Sequence, residues 1–224
     1  RHGVHNPNAR YPKEYGVDDV ASSPVVSDPL RLLEICATSD GGAALVVCSM
    51  DYARSLGVTD PVRVSGISTV TPTYPDTVID LPYLATDSWA GSPPPDRGFK
   101  ESIGAQAYAE AGLGPEDVDV AEVYDLSSAL ELDWYEQLGL CPVGEAEALL
   151  RSGDTEIGGR IPVNPSGGLG AFGEAVPAQA IAQGCELAWQ LRGQAGYRQV
   201  EGARVGVTAN QGLFGHGSSV VVRR

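Results

Sequence analysis

The chain of 224 residues carries 15 basic and 29 acidic side chains, a net charge of −14. Such a surface repels nucleic acid and anionic lipid, which excludes a general polyanion-binding role; any anionic ligand must find local cations such as Arg97, Lys100 or Arg160. With no apolar run of about eighteen residues and no secretory leader, the expectation is a soluble, cytoplasmic protein, long enough to bury one large core or two small ones.

Arg1 to Arg10 has no initiating methionine and reads as an irregular segment opening a fragment. Pro24 to Pro29 is a polar, extended connection. In the following stretch, Thr38-Ser-Asp-Gly-Gly-Ala-Ala-Leu-Val-Val-Cys48, the apolar run from Ala43 to Cys48 predicts a strand buried on both faces. Ser49 to Leu56 has helical spacing, and Val62 to Ser68 alternates with period two, as a strand does. Thr71 to Pro95 is rich in Pro, Ser and Asp and holds Tyr74, Tyr83 and Trp89; loops of this length are usually functional or disordered, and this one is a candidate lid or partner contact.

Phe99 to Ala111 predicts an amphipathic helix closed by Gly112, with Pro115 beyond it. Val118 to Val123 reads as a buried strand, Ser127 to Leu138 as a helix ended by Gly139, and Arg160 to Asn164 as a third strand. Ala178 to Leu191 is a long apolar helix, and Arg204 to Ala209 and Ser218 to Val222 are the last strands. Strands spaced by helices imply right-handed crossovers and a largely parallel sheet covered on both faces. The turn Asn210 to Gly217 is too short for a crossover helix, so the last pair is antiparallel. The expectation is an α/β chain with a five-stranded mixed sheet in the order βαβαβαββ.

Three places suit chemistry. Asn164-Pro-Ser-Gly-Gly-Leu-Gly-Ala-Phe-Gly-Glu-Ala-Val-Pro177 joins a short extended run to a helix start, so its backbone N–H groups suit an anionic or carbonyl oxygen. A connection needing positive φ is the plain alternative. Tyr124 and Asp125 lie at the carboxyl end of a predicted parallel strand, where open α/β sheets place ligands; Asp125 or Ser127 serves equally as a helix N-cap. Glu174 at a helix start is either a carboxylate on the dipole's positive end or a proton-exchanging group. Asn210, Gly212 and His216 occupy a strand end followed by a glycine turn. The four cysteines, Cys36, Cys48, Cys141 and Cys185, lack metal-ligand spacing, and the apolar neighbours of Cys48 and Cys185 suit buried thiols. With three histidines in all, no metal site is expected.

These motifs resemble the thiolase superfamily in its branch of sterol-carrier and lipid-transfer thiolases. That branch has Asn-Pro-Ser-Gly-Gly-Leu leading to Gly-His-Pro, matched here by Asn164 to Leu169 and by Gly173-Glu174-Ala175, with Glu174 in place of the histidine. It has His-Asp-Cys-Phe where this chain has Tyr124-Asp125-Leu126-Ser127, and Cys-x-Gly where this chain has Asn210-Gln211-Gly212. A His-x-x-x-Asn-Pro near the start and Ser-Asp-Gly-Ala-Ala, matched near Thr38 to Cys48, complete the likeness. The resemblance implies that residues 1–57 end an N-terminal half (linker, last strand and helix), and that residues 58–224 form the C-terminal thiolase-like domain.

Tyrosine at the His-Asp motif, without the thiolase histidine and cysteine, is most similar to lipid-transfer-protein aldolases that split steroid side-chain CoA thioesters. What the resemblance implies is a retro-aldol carbon–carbon lyase acting on a β-hydroxyacyl-CoA, with Tyr124, Glu174 and Asp125 as catalytic groups. Asn164, Ser166, Gly167, Gly168, Asn210, Gly212 and His216 then surround the substrate. It implies no cofactor beyond the coenzyme A of the substrate, an OB-fold partner of the DUF35 type, and a homodimer or heterotetramer. The alternatives are a non-catalytic acyl-CoA-binding or scaffold subunit and an acetyl-CoA acyltransferase using an upstream cysteine.

Overall fold

The computed structural model describes residues 1–36, 38–72, 96–212 and 215–224. In chain order the elements are α1 (Val17–Ser22), β1 (Val25–Ser27), β2 (Leu30–Arg31), α2 (Met50–Ser55), β3 (Arg63–Val70), α3 (Phe99–Ala111), β4 (Val120–Val123), α4 (Ser128–Gln137), α5 (Ala146–Ser152), α6 (Gly168–Phe172), α7 (Ala178–Leu191), β5 (Val205–Gly212) and β6 (His216–Arg223). The expected lid falls largely on residues 73–95 and lies outside the described residues.

Local chemistry accounts for most boundaries. The C-cap Gly112 adopts φ 66°, a left-handed conformation that ends α3 cheaply only when the residue is glycine. The hydroxyl of Ser127 accepts from Leu130 N and starts α4. Each of α3, α4 and α7 falls within a residue of its sequence expectation. The short helices α5 and α6 have no counterpart among the predicted elements, since five to seven residues give too little periodicity.

The main sheet has the order β3-β6-β5-β4 among the described residues, with β4 parallel to β5 and the other two pairs antiparallel. It is the expected mixed sheet of a thiolase-like α/β fold with helices on both faces. The fifth strand, Arg160 to Asn164, is reduced to one parallel bridge between Val163 and Ala121. Ala121 N donates to Pro162 O at 3.0 Å and Asn164 N to Ala121 O at 2.8 Å. Pro162 has no N–H to extend the ladder, and Asn164 turns to φ 50°.

One face of the sheet buries Ile103, Ala107, Trp134, Tyr135 and Leu138 of the α3/α4 layer against Ala121, Val123, Val207, Ala209 and Val221. The other face receives α7 through Leu187 and Leu191 against Val120 and Val222. The sequence predicts an apolar α7, yet its buried residues include Gln179, Gln183, Glu186 and Gln190, while Ile181 and Trp189 are exposed. Three of them find partners: Arg198 Nε donates to Glu186 Oε1 at 2.8 Å, Gln190 Nε2 donates to Glu186 Oε1 and to the Arg198 carbonyl, and Gln183 Oε1 accepts from Asn210 Nδ2, whereas the Gln179 side-chain oxygen is buried with no partner among the described residues.

The stretch from Ala43 to Cys48 corrects the expectation of a buried strand. It has no regular structure, Val46 is 98% exposed, and Cys48 is an exposed free thiol. A strand needs a neighbouring edge for its N–H and C=O groups, and the described residues offer none there. Cys185, also expected to be buried, is half-buried.

Candidate active site

Three stretches converge at the carboxyl end of β4. Tyr124 follows that strand, and its N–H still donates to Ala209 O of β5 at 2.9 Å. Residues 35–36 and 38–39 run alongside: Cys36 N donates to Leu126 O at 2.9 Å and Ser39 N to Glu174 O at 2.8 Å. Glu174 comes just after α6. The result is a small cluster in which Tyr124 Oη donates to Glu174 Oε1 at 2.5 Å and Cys36 Sγ donates to Glu174 Oε2 at 3.1 Å.

Both oxygens of Glu174 therefore accept from neutral acids. Burial pushes the Tyr124 hydroxyl up from its usual range, and the hydrogen bond and charge of Glu174 push it further. Burial, then Glu174, pushes the Cys36 thiol up to about 12. The arrangement is a carboxyl group held on both oxygens, by a phenol and a thiol that each keep their proton. Sequence reasoning pairs Tyr124 with Glu174 but misses Cys36, for which the only signal is its place in the segment leading to Thr38-Ser-Asp.

The glycine loop is built differently from the expectation. Asp125 is buried, and its carboxylate accepts from Leu169 N at 2.7 Å and Gly170 N at 3.2 Å. Glu122, buried in β4, accepts from Ser166 N at 3.0 Å and from Ser166 Oγ at 2.7 Å. Gly167 N donates to Asn164 O, Gly168 N to Ser166 Oγ, and the Asn164 side-chain oxygen accepts from Val123 N. Burial raises the carboxyls of both Glu122 and Asp125. The backbone donors of Ser166, Gly167, Gly168, Leu169 and Gly170 bond within the protein, with Asp125 fastening the loop, while the Asn164 side-chain nitrogen is buried with no partner among the described residues.

The first residues clamp the same loop from outside. Asn6 Nδ2 donates to Ser166 O at 2.8 Å; the His2 ring takes Asn164 O at Nδ1 and Ile157 N at Nε2. Those contacts require a neutral ring with its proton on Nδ1, and burial lowers the His2 pKa accordingly.

None of the remaining expected site residues hydrogen-bonds Tyr124 or Glu174 through its side chain among the described residues. Asn210 Nδ2 donates to Gln183 Oε1 at 2.6 Å, turned toward α7, and its own oxygen is buried without a partner. His216 is exposed beside Gly212, where an added Cβ would lie 2.1 Å from the imidazole. The cations proposed for an anionic ligand all face carboxylates: Arg97 pairs with Glu101, Lys100 with Asp133 and Arg160 with Asp154. A cleft of about 450 Å³ beside the loop is lined by Ser166, Gly168, Gln179, Gln183 and Glu186, among others. No group of three or more metal-ligating side chains occurs among the described residues, and no helix there is long and apolar enough to cross a membrane.

The sequence and the fold have counterparts in known proteins. The profile of the thiolase C-terminal domain-like family matches residues 95–224. Sterol carrier protein 2 of Oryctolagus cuniculus is 40% identical over 216 residues, covering 96% of this chain and 38% of that protein. The acetyl-CoA acetyltransferase of Methanothermobacter thermautotrophicus is 39% identical over 221 residues, covering 96% of this chain and 53% of its own length. Among solved structures, an Ltp2-ChsH2(DUF35) aldolase superposes with a TM-score of 0.79 at 29% identity, over 99% of this chain and 55% of that one. The chain thus spans about two-fifths to about half of these relatives.

Proposed function

The chain belongs to the thiolase superfamily, in the thiolase C-terminal domain-like family and on its sterol-carrier and lipid-transfer side, and from that premise we propose that the protein is an aldolase cleaving a β-hydroxyacyl-CoA. The observation that carries this reading is the Tyr124–Glu174 hydrogen bond. Retro-aldol cleavage needs a base for the β-hydroxyl proton and an acid to return a proton to carbon, and it needs no acyl-accepting thiol.

Glu174 is the base and Tyr124 relays to it. The substrate hydroxyl gives its proton to the phenol oxygen as the phenol proton passes to Glu174. The bond between the β and α carbons then breaks, leaving a ketone and the thioester enolate, and the proton held by Glu174 returns through Tyr124 to the α carbon. Tyr124 is not the resting base, because its raised pKa keeps it protonated.

Steroid side-chain thioesters are the substrate class suggested by the sterol-carrier relatives, and an OB-fold DUF35-type protein is the partner suggested by the superposing aldolase. A cytoplasmic setting and a homodimer or heterotetramer belong to the same proposal. The test is to incubate the full protein with its candidate DUF35 partner and a 3-hydroxyacyl-CoA branched at the β carbon. The reading expects equimolar ketone and shortened acyl-CoA by mass spectrometry, and recovery of intact thioester would sink it.

A condensing activity is the second reading, favoured by the likeness to the acetyl-CoA acetyltransferase and to the benzoylsuccinyl-CoA thiolase subunit BbsB of Thauera aromatica, 36% identical over 201 residues. It would require a nucleophilic cysteine outside this chain's described residues, and it predicts acyl transfer to free coenzyme A and inactivation by iodoacetamide.

A further inference from the structure

We propose that Cys36 is a positioning residue: its thiol holds Glu174 Oε2 so that Oε1 stays on the Tyr124 hydroxyl. The catalytic meaning of this contact rests on the aldolase reading; the contact itself does not.

A glutamate carries three side-chain rotors, and a single hydrogen bond leaves its carboxylate free to swing. The segment bearing Cys36 is tied to both neighbours of the pair. Cys36 N bonds to Leu126 O beside Tyr124's strand end, Ile35 bridges to Ser127, and Thr38 bridges to Glu174 itself. A sulfur anchored by backbone on both sides is therefore held 3.1 Å from Oε2. The residue type matters as well. A lysine or arginine in that place would neutralise the base, whereas a neutral thiol donates weakly and leaves the carboxylate its charge.

Burial, then the hydrogen bond and charge of Glu174 and the charge of Asp125, hold the thiol protonated, so Cys36 is a donor rather than a nucleophile. The role is distinct from that of the acyl-accepting cysteine in a thiolase. No bond to sulfur forms or breaks.

Two measurements decide it. The first needs no substrate: the rate of Cys36 alkylation by iodoacetamide, read by peptide mass, in the full protein and in Glu174→Gln. Removing the carboxylate should speed alkylation by about tenfold, since lowering a thiol's pKa by about one gives a tenfold change in thiolate; an unchanged rate overturns the contact whether or not the protein cleaves anything. The second compares cleavage by Cys36→Ser and Cys36→Ala. Serine, which keeps a donor, should retain kcat within about threefold, while alanine lowers kcat by about tenfold with KM unchanged. Equal loss in both variants, or no loss in alanine, overturns the positioning role. If the parent protein itself cleaves no acyl-CoA, the aldolase reading fails and the alkylation rates alone decide the contact.

Discussion

Tyr124 and Glu174, fifty residues apart in sequence, meet at 2.5 Å where β4 ends and the glycine loop has just closed. The phenol donates and the carboxylate accepts, which fixes the resting direction of the proton. Replacing Tyr124 by phenylalanine keeps the ring while removing that proton. Cleavage of the acyl-CoA should fall by more than about tenfold, with the melting temperature nearly unchanged. Parallel kinetics and thermal unfolding check this, and undiminished turnover removes Tyr124 from the mechanism.

Gly168 adopts φ 62°, and a Cβ there would lie 2.3 Å from Asp125 Oδ2. Alanine must therefore either displace the carboxylate that holds Leu169 N and Gly170 N or leave the left-handed region. Gly168→Ala should destabilise by roughly 2–4 kcal/mol in urea unfolding. A change below about 0.5 kcal/mol would mean that Asp125 does not fasten the loop.

His2 gives the fold a pH dependence with a definite sign. Its folded-state pKa is lowered from 6.5 by burial, so the folded state prefers the neutral ring. The unfolded chain binds the proton more readily. The contribution of His2 is therefore fully present above the ordinary value and lost as pH falls below it, by about 1.4 kcal/mol for every tenfold by which folding weakens the ring's hold on its proton. Between about pH 7 and about pH 5, the melting temperature of the parent should fall more steeply than that of His2→Asn. Equal slopes would place the ring in water.

What is legible in the sequence is what local chemistry dictates. Gly112 and Gly139 stop helices because they take positive φ, Ser127 starts one with its hydroxyl, and the short connection between Gly212 and His216 makes β5 and β6 antiparallel. The Tyr124–Glu174 pairing is legible through the family motifs that each residue replaces. What escapes sequence reasoning depends on distant partners. Val46 and Val47 look like a strand until one asks which edge would bond them. The glycine-loop N–H groups look free until Glu122 and Asp125 arrive from β4, and the Cys36 contact joins residues 138 apart. The polar buried side of α7 is likewise invisible, because Glu186 is acceptable inside only once Arg198 pairs with it.

The central claim is that Glu174 receives the substrate's hydroxyl proton. The most direct test is single-turnover cleavage of a β-hydroxyacyl-CoA by the full protein and by Glu174→Gln, an isostere that cannot act as a base. The account predicts a loss on the order of a hundredfold or more in the cleavage rate with little change in thioester binding. A Glu174→Gln variant that cleaves within about twofold of the parent would contradict it.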